Sequence, residues 1–255
     1  MIVCKSPGEI EKMRAANALV AGVLADLAAM VVPGVTTSEL DAQAERLVRA
    51  GGAEPAFKGY RGYPATLCAS VNEQVVHGIP SSRRLVEGDI LSLDMGVKLN
   101  GFYGDSAVTV AVGRIGEDVQ RLLQVTQEAL ERGIRQVRVG GRISDIGHAI
   151  QQHVESHGFS VVREFVGHGI GAALHEEPQI ANYGEPGRGP RMAEGMVLAI
   201  EPMVNMGRPA VKVLSDGWTA VTRDGSLSAH FEHTVAVTSD GPLVLTMRPA
   251  SAAAS

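Results

Sequence analysis

The chain has 255 residues, a formal net charge of −5, 45% hydrophobic and 20% charged residues, and two cysteines. A chain of this size buries roughly three quarters of its unfolded surface, so a large core is available and a disordered or low-complexity polymer is excluded. Scattered Lys and Arg on an acidic chain leave no basic surface for nucleic acid. Cys4 and Cys68 match no disulfide framework, zinc motif or redox pair, which fits a reducing compartment with Cys68 buried.

In chain order, Ser6-Pro7-Gly8-Glu9 reads as a helix start, with an N-cap serine, a proline in the first turn and a glutamate three residues after the cap. The helix continues through the apolar stretch 15–32 and stops at Pro33-Gly34. Asn17 and Asp26 interrupt that stretch and Glu9 and Glu11 precede it, so neither a signal peptide nor a membrane span is expected, and the cytoplasm is the default location. A second helix is expected over 38–50, ended by Gly51-Gly52, and strands over 66–71, 90–99 and 101–112. The last two strands meet at Asn100-Gly101, a strong hairpin signal. Helical patterns return over 117–132 and 144–156, followed by strand patterns over 160–166, 196–205, 218–221 and 231–238 and a frayed tail over 249–255.

A shift of 106 residues matches Gly34 with Gly140, Ser38 with Ser144, Val48 with Val154 and Gly52 with Gly158. This faint repeat suggests one domain made of two related halves, roughly 5–112 and 113–245. Helices and strands segregate within each half, which predicts an α+β fold around antiparallel strands.

Four strand-like runs each carry one acidic residue where the pattern calls for burial: Asp94, Asp105, Glu201 and Glu232. An unpaired buried carboxylate costs several kcal/mol, and no Lys or Arg stands beside any of them. With a two-residue turn at Asn100-Gly101, Asp105 faces Gly96 and Asp94 lies one diagonal step away on the same face. Two carboxylates at one spot repel unless a cation neutralises them. Of the eight histidines, His148, His153 and His157 read as solvated positions on one helix, and His230 and His233 as neighbours of Glu232 on the opposite face. His168 differs, since Gly167-His168-Gly169-Ile170-Gly171 lets backbone approach a site closely. His175-Glu176-Glu177-Pro178 and His77-Gly78-Ile79-Pro80 supply two more histidines in short motifs. One imidazole and four carboxylates form a ligand set for two divalent cations, and a hydroxide bridging such a pair is strongly acidified. The oxygen-rich set suits Mn, Fe(II), Co or Zn.

The ordered contexts Val-Asn-Glu-Gln-Val-Val-His77-Gly-Ile-Pro, Gly-His168-Gly-Ile-Gly, His175-Glu-Glu-Pro, Ala-Ile-Glu201-Pro-Met and Phe-Glu232-His-Thr, with Asp94 and Asp105 in register, resemble type I methionine aminopeptidase from about Lys5 to Leu245. The resemblance implies a pita-bread (creatinase/aminopeptidase) fold: two pseudo-symmetric halves with a curved antiparallel sheet, flanking helices and a dinuclear metal site. It implies bridging ligands Asp105 and Glu232, Asp94 on one metal, and His168 and Glu201 on the other. Glu201 is expected to relay a proton to the leaving amine, His175 to stabilise the oxygen of the tetrahedral intermediate, and His77 to bond the scissile amide. Tyr60, Tyr63, Cys68, Leu174 and Trp218 match a pocket for an unbranched thioether side chain. Ala172 and Leu174 depart from the basic and aromatic residues common in bacterial relatives, while the short start resembles the bacterial form. The implied reaction is removal of the initiator methionine from nascent chains with a small second residue, by a monomer with transient ribosome contact.

Other readings are an aminopeptidase of this fold with an X-Pro preference and a non-catalytic binding module of the fold. A serine hydrolase built on Gly104-Asp105-Ser106 lacks a Gly-x-Ser-x-Gly elbow, and no helix follows Gly167 to complete a nucleotide-binding loop.

Overall fold

The computed structural model describes residues 1–247, and the tail expected at 249–255 lies outside the described residues. Helix α1 (Pro7–Met30) starts with the expected capping box between Ser6 and Glu9. Helix α2 (Thr37–Ala50) has the same device one step earlier than the sequence suggested, with Thr36 as cap and Glu39 at its third position. Strands β1 (Glu54–Pro55), β2 (Cys68–Val71) and β3 (Gln74–Val76) lead to the long hairpin of β4 (Ile90–Leu99) and β5 (Phe102–Ala111). Its turn holds Asn100 and Gly101 at φ 52° and 83°, left-handed conformations suited to a two-residue hairpin loop. Asp105 pairs with Gly96 and Asp94 with Ala107, as the turn arithmetic requires.

Helices α3 (Glu117–Ile134) and α4 (Ile143–Ser156) follow. The later strands are β6 (Ser160–Val161), β7 (Gly167–Gly169), β8 (Glu176–Ile180), β9 (Val197–Ile200), β10 (Met203–Asn205), β11 (Val211–Val213), β12 (Ala220–Thr222), β13 (Ser228–His230), β14 (His233–Thr238) and β15 (Gly241–Val244). Several expected runs are shorter than the sequence suggested. The 196–205 run breaks at Glu201-Pro202, where proline has no N–H for the ladder. The 160–166 run ends after Val161, with Arg163 and Glu164 exposed beyond it. The 218–221 run begins only at Ala220, because Asp216 accepts hydrogen bonds from the backbone N–H groups of Trp218 and Thr219 and holds them in a turn.

All strand pairings are antiparallel, with β4 flanked by β1, β2 and β5 and a five-stranded sheet in the order β15-β14-β9-β7-β8. The two sheets meet where Glu232 N–H donates to the Ala107 carbonyl at 2.9 Å. Hydroxyls of Ser106 and Thr234 stitch the same seam by donating to the carbonyls of Glu232 and Asp105. Helices α2 and α4 each have 14 residues and start 106 positions apart. The glycines that follow them, Gly52 and Gly158, are both left-handed.

Helix α1 has the length and apolar composition of a membrane span, a property it shares with core helices. Ala16, Val20, Val23, Leu24 and Leu27 are buried in one apolar cluster with Leu91, Leu93, Met95 and Val97 of β4. A second cluster joins α3 and α4 to β9, β10 and β14. His153, expected in solvent, is buried with Nε2 3.0 Å from Glu128 Oε2, because α4 packs this face against α3.

Candidate metal centre and active site

Each acidic candidate is carried to the centre by a different strand or strand end. Asp94 on β4 and Asp105 on β5 share one face of the hairpin. Glu232 lies between β13 and β14, beside β5 at the seam. Glu201 follows β9 at the proline break. His168 stands in the middle of β7, where its neighbours must be glycine: a Cβ on Gly167 meets the Ala199 carbonyl oxygen at 2.3 Å, and one on Gly169 meets that of Glu177 at 2.2 Å. The close backbone approach expected of this motif is that of a strand squeezed between β8 and β9.

His168 Nδ1 donates to the Gly169 carbonyl at 2.9 Å, which leaves the Nε2 lone pair facing the carboxylates. Nε2 lies 3.6 Å from Glu201 Oε1 and 3.9 Å from Asp105 Oδ2. Ligand atoms of Asp105, His168 and Glu232 come within 4.8 Å of one another, close enough for one ion. Asp94 and Glu201 line the same pocket.

The electrostatics call for cations. Burial pushes Asp94 up to about 7. Burial pushes Asp105, Glu201 and Glu232 well above the carboxylate range, helped by Asp94 for Glu201, by Asp94 and Glu201 for Asp105, and by Asp105, Glu201 and Asp94 for Glu232. Burial, then His175, lowers His168 and His77 to about 4, so both are neutral. Asp105 Oδ1 and Glu232 Oε1 are buried with no hydrogen-bond partner. Orphaned oxygens on mutually repelling carboxylates, with a neutral imidazole aimed at them, fit divalent cations as the missing partners.

Around this centre the structure gathers the remaining candidates in one pocket. Tyr60, Tyr63, Cys68, Leu174 and Trp218 all line it, with His77 and His175 beside the carboxylates. Tyr60 stacks on His175 at 5.2 Å, and its hydroxyl lies 2.9 Å from His175 Nδ1. Tyr63 donates its hydroxyl to the carbonyls of Leu67 and Gly78 and meets Trp218 edge-on. His77, at φ 60°, packs edge-on against Phe165 and Trp218.

Three residues escaped the sequence reading. Phe57 and Arg61 line the pocket, and Arg61 had only its place between two tyrosines and two glycines to signal it. His230 was placed on the face away from Glu232, yet it is buried with both ring nitrogens unbonded and Nε2 3.8 Å from Glu201 Oε2. His233 does turn away, to the Thr246 hydroxyl.

Residues 11–239 match the profile of metallopeptidase family M24. The chain is 54% identical to methionine aminopeptidase 1 of Bacillus subtilis, over 96% of this chain and 99% of that one. It is 53% identical to the methionine aminopeptidase of Clostridium perfringens, over 97% and 99%. Among solved structures, the methionine aminopeptidase of Thermotoga maritima superposes with a TM-score of 0.96 at 48% identity, covering 97% of this chain and 100% of that one. Prolidase from Pyrococcus furiosus, at 24% identity and TM-score 0.79 over 97% of this chain and 66% of its own, shares the fold. The architecture is the pita-bread fold, and the protein, a metal-dependent peptidase, belongs to metallopeptidase family M24.

Proposed function

We propose that this protein removes the N-terminal methionine from peptides and nascent chains whose second residue is small. The observation that carries the reading is the cluster of buried Asp94, Asp105, His168 and Glu232 with half-buried Glu201, none of them ion-paired to a lysine or arginine among the described residues, set against an apolar pocket of Tyr63, Cys68, Leu174 and Trp218. The relatives that match nearly end to end are named for this activity.

Asp94, Asp105, His168, Glu201 and Glu232 would hold divalent ions in this reading; Co, Mn, Fe(II) and Zn all suit the donor set. Ions bound there supply Lewis acidity, which polarises a carbonyl and acidifies water. Glu201 takes the proton of the attacking water and passes it to the departing amine. With the Tyr60 hydroxyl, 2.9 Å away, donating to His175 Nδ1, the ring takes the tautomer whose Nε2–H would donate to the oxygen that gains charge. Burial, then Arg61, lowers the His175 pKa and favours that neutral ring. His77 bonds the scissile amide. Phe57 extends the apolar wall that takes the methionine side chain.

The chain acts as one catalytic domain of two related halves, 5–112 and 113–245, and the 106-residue offset of α2 and α4 supports this. A cytoplasmic monomer meeting nascent chains near the ribosome completes the proposal. Asp105→Ala and Glu232→Ala are expected to lose calorimetric metal binding and peptide turnover together. Turnover retained in either variant sinks the assignment.

A further inference from the structure

Arg61 is the only lysine or arginine among the described residues that line the pocket. Its position is set by the backbone. Residues Tyr60–Gly62 form a single 3-10 turn with Arg61 at φ 48° and ψ 24°, flanked by Gly59 and Gly62 at φ 88° and 89°. A non-glycine residue in the left-handed region is uncommon, and here it leaves the side chain exposed. The guanidinium carbon sits 5.4 Å from the centre of the Tyr60 ring. That ring in turn stacks on His175. Arg61 therefore stands one aromatic ring away from the histidine beside the metal centre, and it has no ion pair with any described residue. Its charge is permanent at any working pH.

A peptide whose methionine fills the apolar end and whose first amide faces the carboxylates must send its later residues out past the exposed side of the pocket. We propose that Arg61 is a specificity-determining residue of this site, favouring substrates with acidic side chains at the third and fourth residues over substrates with basic ones there. The inference rests on the methionine reading above and deepens it. Its sign is also informative: a protein of net charge −5 favours basic peptides through its overall field, so a preference for acidic ones requires a local cation.

The test compares kcat/KM of the metal-loaded enzyme on amidated Met-Ala-Xaa-Xaa-Ser peptides, with Glu, Gln or Lys at both Xaa positions. For an exposed charge pair the expected Glu-over-Lys ratio is roughly two- to five-fold per contact at low salt. In about 1 M salt, where the screening length falls to about 3 Å, the ratio should collapse. Arg61→Gln should bring the low-salt ratio close to one, and Arg61→Glu should invert it. Equal kcat/KM for the Glu and Lys peptides, or a ratio that survives Arg61→Gln, overturns the inference alone. Failure to cleave any of the three overturns the methionine reading and this inference with it.

Discussion

Asp105 and Glu232 each hold a buried oxygen that no donor reaches, and both carboxyls are pushed upward by burial and by their acidic neighbours. Such groups are costly to the folded chain and useful only with a cation. Glu201→Gln keeps the volume and removes the base, so turnover should fall roughly 10²- to 10⁴-fold while circular dichroism stays native. His175→Ala should lower kcat more than it raises KM, because an oxyanion donor acts on charge that develops only in the transition state; an effect confined to KM contradicts its role. Asp94 and Asp105 were legible from strand alternation and one Asn-Gly turn, which places two carboxylates on a face without any knowledge of the rest. His230 was misplaced. It lies two residues from Glu232, so alternation alone puts it on the same side and the opposite-face expectation is wrong; only its approach to Glu201 is a tertiary fact. Arg61 was missed because nothing local says that its turn borders the pocket.

Among the elements, the segment before α1 does more than cap a helix. Lys5 Nζ lies 2.5 Å from Glu176 Oε2, with side-chain exposures of 4% and 13%. Glu176 Oε1 accepts from the Ala173 N–H at 3.1 Å, and a Cβ on Gly171 would run into the Lys5 side chain at 2.3 Å. This buried pair ties the chain's first residues to the turn that presents Leu174 and His175. Lys5→Met should therefore destabilise the protein by about 3 kcal/mol in urea unfolding and depress kcat, with metal affinity kept; Lys5→Arg should recover part of both. Gly167→Ala tests the other support, because its methyl meets the Ala199 carbonyl oxygen at 2.3 Å and must push β7 off β9. Metal affinity and stability should fall together, read by calorimetry and urea unfolding. Helix starts, the β4–β5 hairpin and its register were readable because capping boxes and an Asn-Gly turn are local. Strands β7, β8, β13 and β15 were not, because short strands acquire their identity from neighbours that the local pattern does not contain.

At the scale of the molecule, the two sheets meet at Asp105 and Glu232, so an ion held by these residues would couple to folding. In the metal-free protein Asp94, Asp105, Glu201 and Glu232 keep their protons at pH values where the unfolded chain, with ordinary values of 3.8 and 4.5, has lost them. Folding then takes up protons. This stabilising contribution is complete below the ordinary values and is lost as pH rises through the raised ones, about 7 for Asp94. Asp105→Asn removes one such group, so the metal-free variant should gain Tm relative to the metal-free wild type as pH goes from about 4 to about 8. Adding Mn²⁺ at 100 times its Kd should stabilise the wild type by about 2.7 kcal/mol and the variant far less. A difference that does not change with pH contradicts the linkage. The fold class was legible at this scale because helices and antiparallel strand signals segregate along the chain, whereas the seam between the sheets depends on β5 and the start of β14, whose bonded partners are more than 120 residues apart.

The most direct test of the central claim is release of free methionine from Met-Ala-Ser and Met-Lys-Ser by metal-stripped protein, before and after adding Mn²⁺ or Co²⁺. The account predicts metal-dependent cleavage of the first peptide and little of the second. A folded protein that cleaves neither peptide with any divalent metal, or cleaves both without one, contradicts it.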